Sequence, residues 1–193
     1  EPVEFVRLLD RPFDVVLACA DRYFRRDFVY GPPGGAYPDN AERFVVFCRA
    51  VLEWLRQQSP PPDVLHVHDW QAALAVAFLR ANSAYPELAR LRTVLTIHNL
   101  AYQGRFPAED WHLLNLDRHY FSPAFLEFYG EINFLKAGLV FADALTTVSP
   151  RYATEIQTPA FGEGLDGVLR SRASHLHGIV NGIDYALWNP ARD

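Results

Sequence analysis

Residues 60–82 read PPPDVLHVHDWQAALAVAFLRAN, and the change of pattern inside that stretch decides the fold class. After the triple-proline breaker, residues 63–68 form a short β-rich run, DVLHVH, in which apolar and polar side chains alternate. Residues 71–82 are then apolar almost throughout and long enough for a helix. The same alternation continues downstream. Further strands are expected at 93–98 (TVLTIH), 144–149 (ALTTVS) and 175–180 (HLHGIV), and further helices at 132–142, 150–157 and 165–171. Short strands separated by helices are the signature of βαβ units, so the chain reads as α/β with a parallel sheet and flanking helices.

Upstream, residues 41–56 place Phe44, Phe47, Cys48, Val51 and Leu55 at helical spacing, and Asp39 with Glu42 three residues on gives a capping-box-like start. Ser149-Pro150 and Ser122-Pro123 each put a capping hydroxyl before a proline, which signals two more helix starts. Two loops, 25–40 (RRDFVYGPPGGAYPDN) and 99–107 (NLAYQGRFP), are long enough to suggest function rather than connection.

Composition narrows the class of protein. The chain has 193 residues, 50% of them apolar and 21% charged, which suits one globular domain or slightly more with a real core. Lys and Arg number 18 against 23 Asp and Glu, a net charge of -5 with no basic face, so nucleic acid is not an expected partner. The longest run without a polar residue is 72–79, far short of the roughly 20 residues a membrane span needs, and no membrane association is expected. Cys19 and Cys48 lie in apolar surroundings and read as buried free thiols, which points to a cytoplasmic protein. With no Met at position 1 and no signal peptide, the chain reads as a piece of a longer one.

The ends of the expected strands carry His68-Asp69, His98-Asn99, Ser149 and Asn181-Gly182, all polar. Parallel pairing brings such ends side by side, and open α/β sheets bind ligands in the crevice outside the carboxyl ends of their strands. The helix N-termini that follow offer free N–H groups there, suited to an anion or a sugar hydroxyl. Each residue also has a plainer reading. Asp69 has the position of a helix N-cap, His98 of a hydrogen-bonded structural histidine, Asn181-Gly182 of a turn, and Lys136 in its apolar helix of a side chain that snorkels its charge to the surface. The pairs His66/His68 and His175/His177 raise a metal-hydrolase alternative, because alternate strand residues share a face. No further His, Asp or Cys cluster stands at ligand spacing, so no metal and no cofactor is expected. No Gly-x-Gly-x-x-Gly follows a strand, and neither a P-loop nor a Gly-x-Ser-x-Gly elbow occurs.

Taken together, YGPPGGAYPDNAERF (30–44), HVHDWQAAL (66–74), TIHNLAYQGRFP (96–107), NFLKAGLVFADALTTVSPRYATEI (133–156), FGEGLDGVL (161–169) and GIVNGIDYALWNP (178–190) resemble, in order and spacing, the bacterial-type glycogen synthases and plant starch synthases. That resemblance implies one Rossmann-like half of a two-domain GT-B glycosyltransferase. It makes residues 1–193 an incomplete N-terminal catalytic domain, with the first strand and the C-terminal nucleotide-binding domain absent and no turnover expected of the chain alone. The implied reaction transfers glucose from ADP-glucose to the non-reducing end of an α-1,4-glucan with retention, in the cytoplasm or, for a plant or algal protein, the plastid. By position, His98 matches the histidine that contacts the transferring glucose, and Asp69 the aspartate of the His-Asp-Trp segment. Tyr30 matches a tyrosine lining the site, and Asn99 and Asn181 asparagines of the same cleft. Retaining glycosidases use two carboxylates about 5 Å apart. No such pair is evident here, and the family is credited with a front-face mechanism in which the leaving diphosphate helps deprotonate the acceptor. The aromatic loop 102–106 and Trp70 offer stacking surfaces for glucan rings, with buried packing the alternative for Trp70. The competing reading from another class is a non-catalytic glucan-binding module.

Overall fold

The computed structural model describes residues 2–9, 13–81 and 84–191. An antiparallel hairpin, β1 (Glu4–Leu8) and β2 (Val15–Cys19), opens the chain, followed by the single turn α1 (Asp21–Phe24) and the long helix α2 (Asn40–Leu55). Then come β3 (Val64–His68), α3 (Asp69–Ala81) and β4 (Arg92–Ile97). A small excursion follows: β5 (Arg105–Pro107), α4 (Trp111–Leu114), β6 (Glu127–Phe128) and β7 (Glu131–Asn133). The chain returns through α5 (Phe134–Phe141), β8 (Ala144–Thr147), α6 (Pro150–Glu155), α7 (Asp166–Ser171) and β9 (Leu176–Gly178).

The main sheet has the order β3-β4-β8-β9 and is parallel throughout, as the alternation of strands and helices predicts. Its four strands and the helices around them stand where the pattern puts them, with ends shifted by no more than two residues; the expected helix end at Asn82 lies outside the described residues. In register, Val67, Leu95, Leu145 and Leu176 form one buried row across the sheet. Helices α3 and α5 cover that row. α3 is buried nearly all round, from Ala73 to Leu79, because it is wedged between the sheet, α2 and α5. α5 comes close enough that a Cβ on Gly138 would sit 2.9 Å from the Ala73 Cβ and from Leu95 Cδ2, so glycine is needed at that crossing.

Four local expectations are corrected by the packing. Residues 132 and 133, expected to open a helix, belong to β7, which is paired with both β5 and β6; the helix starts only at Phe134, where the Asn133 side chain accepts the Lys136 N–H at 2.8 Å. Ser122-Pro123 starts no helix: the Ser122 carbonyl accepts both Phe125 N–H and Glu127 N–H in a turn, and its hydroxyl donates to the His119 carbonyl instead of capping. Asp39 precedes α2 but makes no side-chain cap, because Arg26 takes its carboxylate at 2.8 and 2.5 Å. Lys136 does not snorkel. It is 4% exposed, and its Nζ donates to the carbonyls of Pro123 (2.6 Å) and Glu127 (2.5 Å), which replace the water that burial removes. Burial pushes its pKa down.

Of the two free cysteines, Cys48 is buried with its thiol pushed up to about 12 by burial, while Cys19 is only half-buried. Among the described residues no helix is long and apolar enough to cross a membrane.

Candidate functional site

Strand β3 runs into α3 without an intervening loop, and the residue that absorbs the change of direction is Asp69, at φ 53. A non-glycine residue in the left-handed region carries a strain of about 1–3 kcal/mol, which the surroundings must hold in place. The holding bond is visible. The Asp69 carboxylate accepts the backbone N–H of His98 at 2.8 Å, tying the end of β3 to the end of β4, and no bond from it to the first turn of α3 is present among the described residues. The N-cap alternative therefore gives way to a cross-strand tie.

His98 stands beside it. Its Nε2 lies 3.0 Å from His68 Nδ1, and the His68 ring in turn lies 4.4 Å, centroid to centroid, from that of His66. His66 Nε2 bonds Thr96 Oγ1 at 2.6 Å, and Thr96 bonds Thr146 at 2.6 Å. His66 and His68 do share a face, as the alternation requires, but the ring nitrogens that make bonds turn to a threonine and a histidine. Among the described residues no group of three or more His, Cys, Asp or Glu could hold a metal. Burial first, then the neighbouring His66 and His98 rings, hold His68 below the ordinary histidine range against the opposing pull of Asp69.

Beside these strand ends opens a cleft of about 630 Å³ lined by Tyr30, Asn40, Asp69, Trp70, Gln71, Asn99 and the loop from Ala101 to Phe106. Each wall has a local cause. The Gly/Pro-rich loop that carries Tyr30 is anchored from below by Arg43, a buried cation whose guanidinium donates to the carbonyls of Tyr23 (2.7 Å) and Val29 (2.9 Å) and to Asn40 Oδ1 (2.6 Å). Asn40 donates in turn to the Tyr30 carbonyl at 2.9 Å. The Tyr30 hydroxyl accepts from Gln71 Nε2 at 2.5 Å. On the other side, Asn99 Oδ1 accepts the Ala101 N–H at 3.0 Å and turns the chain away from β4.

The loop then caps α5 with its backbone, since the carbonyls of Gln103 and Gly104 accept the N–H groups of Leu135 and Phe134, both at 3.0 Å. Gly104, at φ 62, lies so close to Trp70 that a Cβ would meet the indole at 2.3 Å. Trp70 is buried against Phe44, with ring centroids 4.6 Å apart, and only 8% of it is exposed where it lines the cleft. Tyr102 is 67% exposed at the rim.

The structure thus gathers Tyr30, Asp69 and Asn99 on one cleft, with His98 bonded to Asp69 at its edge. Asn181 is exposed, lies past the end of β9, and does not line the cleft. Sequence reading missed Gln71 and Arg105, both of which line it. Gln71 is the one polar residue in the run from Trp70 to Leu79, and that position was the available signal. Arg105 is a lone cation in an aromatic loop, held by Glu131 at 2.6 Å.

Against this geometry, comparison with known proteins gives a consistent picture. A family model described as the starch synthase catalytic domain matches residues 1–171. The glycogen synthase of Opitutus terrae is 48% identical over 180 residues, covering 93% of this chain and 38% of that protein. Glycogen synthase 2 of Geobacter sulfurreducens is 51% identical over 172 residues, covering 89% and 36%. Among solved structures, the catalytic domain of starch synthase IV from Arabidopsis thaliana, bound to ADP and acarbose, superposes with a TM-score of 0.74 at 36% identity, covering 82% of this chain and 33% of that one. The chain therefore spans only between a third and two fifths of the length of the relatives it matches. A family match over most of its residues, together with a shared fold at this identity, leaves one assignment: the chain belongs to the starch synthase catalytic domain family.

Proposed function

We propose that this chain is the sugar-holding part of a retaining glucosyltransferase that moves glucose from ADP-glucose to the non-reducing end of an α-1,4-glucan. The observation that carries the reading is the strained Asp69 at the β3–α3 junction, locked to the His98 amide on the rim of a 630 Å³ cleft. Strain of this kind persists where the surroundings hold a functional geometry in place. The relatives named glycogen synthase, and the ADP and acarbose bound to the Arabidopsis domain, support the substrate class.

In this reading the donor glucose sits at His98 and Asn99, and the glucan enters between Tyr30 and Tyr102, whose exposed rings offer faces for stacking. Asp69 is occupied by its bond to the His98 amide, which suits a positioning carboxylate better than a nucleophile. The departing diphosphate takes the acceptor proton, and the protein contributes mainly by orienting both substrates and stabilising developing charge. Asn181 is assigned to the same cleft only by its match to the family. We further propose that residues 1–193 furnish the N-terminal part of the catalytic region, inactive alone, within a cytoplasmic protein.

The test is chain extension of a malto-oligosaccharide by the whole gene product with ADP-glucose. Transfer is expected, with Asp69→Asn and His98→Asn each lowering kcat/KM on the order of 100-fold or more, about 2.7 kcal/mol of transition-state stabilisation. Glucan binding without transfer would overturn the reading in favour of the binding-module alternative.

A further inference from the structure

We propose that His68 is a positioning residue for His98: the two imidazoles share one proton, so that the nitrogen His98 presents to the sugar can act as a donor or an acceptor according to the ligand. The proposal rests on the glucosyltransferase reading for the identity of the ligand, but not for the pairing itself.

The pairing follows from donor and acceptor counting. A neutral imidazole carries one N–H and one lone pair. His98 Nε2 and His68 Nδ1 are 3.0 Å apart, so one hydrogen lies between them and His98 has only Nδ1 left for a ligand. Among the described residues His98 Nδ1 and His68 Nε2 have no protein partner. If a sugar hydroxyl donates to His98 Nδ1, the hydrogen sits on His98 Nε2 and points at His68. If a sugar oxygen accepts from His98 Nδ1–H, the hydrogen sits on His68 Nδ1 and points at His98 Nε2. The second arrangement needs a partner that can switch between donor and acceptor at one fixed atom, which imidazole does by changing tautomer. Proton count and charge are unchanged in the switch.

His68 is itself held in place. It lies on the sheet face shared with His66, whose ring leans against it at 4.4 Å, tilted by 33°, while its Nε2 is fixed to Thr96 and, through Thr96, to Thr146. Thr96 and Thr146 are register partners on adjacent central strands, so the base of the chain of rings is built into the sheet. One added proton gives a single imidazolium that donates to its neutral neighbour across the 3.0 Å contact; only full protonation of both rings would place two cations there, with His66 beside them, which the geometry disfavours. A neutral His98 suits the site, because the transferring sugar gains positive charge in an oxocarbenium-like transition state.

The experiment has two readouts on the same proteins. Imidazole 15N–1H correlation spectra of the histidines in the whole gene product are expected to show one exchange-protected N–H shared by His68 and His98. It should be lost in His68→Phe and regained in His68→Gln, whose amide can also donate to or accept from His98 Nε2. In the whole gene product, His68→Phe should lower kcat by about 10- to 100-fold with KM little changed, by analogy with the loss seen when partners that orient a metal-binding histidine are removed, and His68→Gln should recover most of it. An unchanged His98 spectrum in His68→Phe, or equal kcat in the Phe and Gln variants, overturns the proposal. A shared N–H in a protein with no transfer activity would leave the pairing standing and sink the glucosyltransferase reading instead.

Discussion

The four strands of the main sheet have two faces that are built on opposite principles. On the face under α3 and α5, the row Val67, Leu95, Leu145 and Leu176 is apolar and buried. One residue along each strand, the row on the other face is His68, Thr96, Thr146 and His177, in which Thr96 bonds Thr146 and also holds His66 on the same face of β3. Val64, at the foot of the same face, is 50% exposed. Because side chains alternate along a strand, a single run such as VLHVH supplies both faces at once. The covered face drives folding through burial. The polar face adds little to burial and instead fixes the direction in which its histidines point, so stability and site geometry are encoded in alternate letters of the same segments.

The difference predicts unequal responses to substitution. Leu95 is fully buried against both helices, and Leu95→Ala should lower unfolding free energy by about 2–5 kcal/mol through lost burial and the cavity left behind. Denaturant titration measures it; a loss under about 1 kcal/mol would mean that the apolar row does not carry the fold. Thr96→Val, on the opposite face, keeps the shape but removes the hydroxyl that bonds both His66 and Thr146. Its expected cost is smaller, about 1–2 kcal/mol. If Thr96→Val proved as damaging as Leu95→Ala, the two faces would not divide the work as described.

The covered face was the more legible of the two. Strand and helix positions came from periodicity because each buried row imposes its period on the sequence, and α3 could be placed because nothing but burial explains residues 72–79. The polar strand ends were also readable, since four of them fall at the same end of parallel strands. What could not be read was any feature set by a distant partner. Asp39 looks like a cap until Arg26 takes it, Ser122-Pro123 looks like a helix start until the turn at 122–127 claims its carbonyl, and Lys136 looks like a snorkelling side chain until the loop carbonyls at Pro123 and Glu127 close over it. Asp69 is the instructive case. Its place before a helix was evident, yet its left-handed backbone and its bond to His98 depend on two strands meeting in register, which no local pattern encodes.

Acid titration separates the two faces by the sign and position of their ionisable groups, and gives the smallest of these effects. His68 on the polar face has its folded pKa held below the ordinary value near 6.5, mainly by burial. As pH falls through about 6.5 the unfolded chain takes up a proton that the folded chain refuses, so stability declines from there and levels off once the folded group also protonates. Asp143, at the opposite end of the sheet, behaves differently. Burial works against its ionisation, but its carboxylate accepts the Thr93 N–H at 2.7 Å, the Thr93 hydroxyl at 2.9 Å and Arg80 at 2.8 Å, and these bonds hold it below the usual carboxylate range. Its contribution is present above about pH 4 and is lost as pH falls through the lowered folded value. Melting temperature followed from pH 8 to 3 should therefore fall in two stages. His68→Gln should flatten the first and leave the second, and Asp143→Asn should reduce the second and leave the first. A first stage that survives in His68→Gln would show that the acid response of the polar face resides in other groups, and that the histidine row is not electrostatically separate from the covered side.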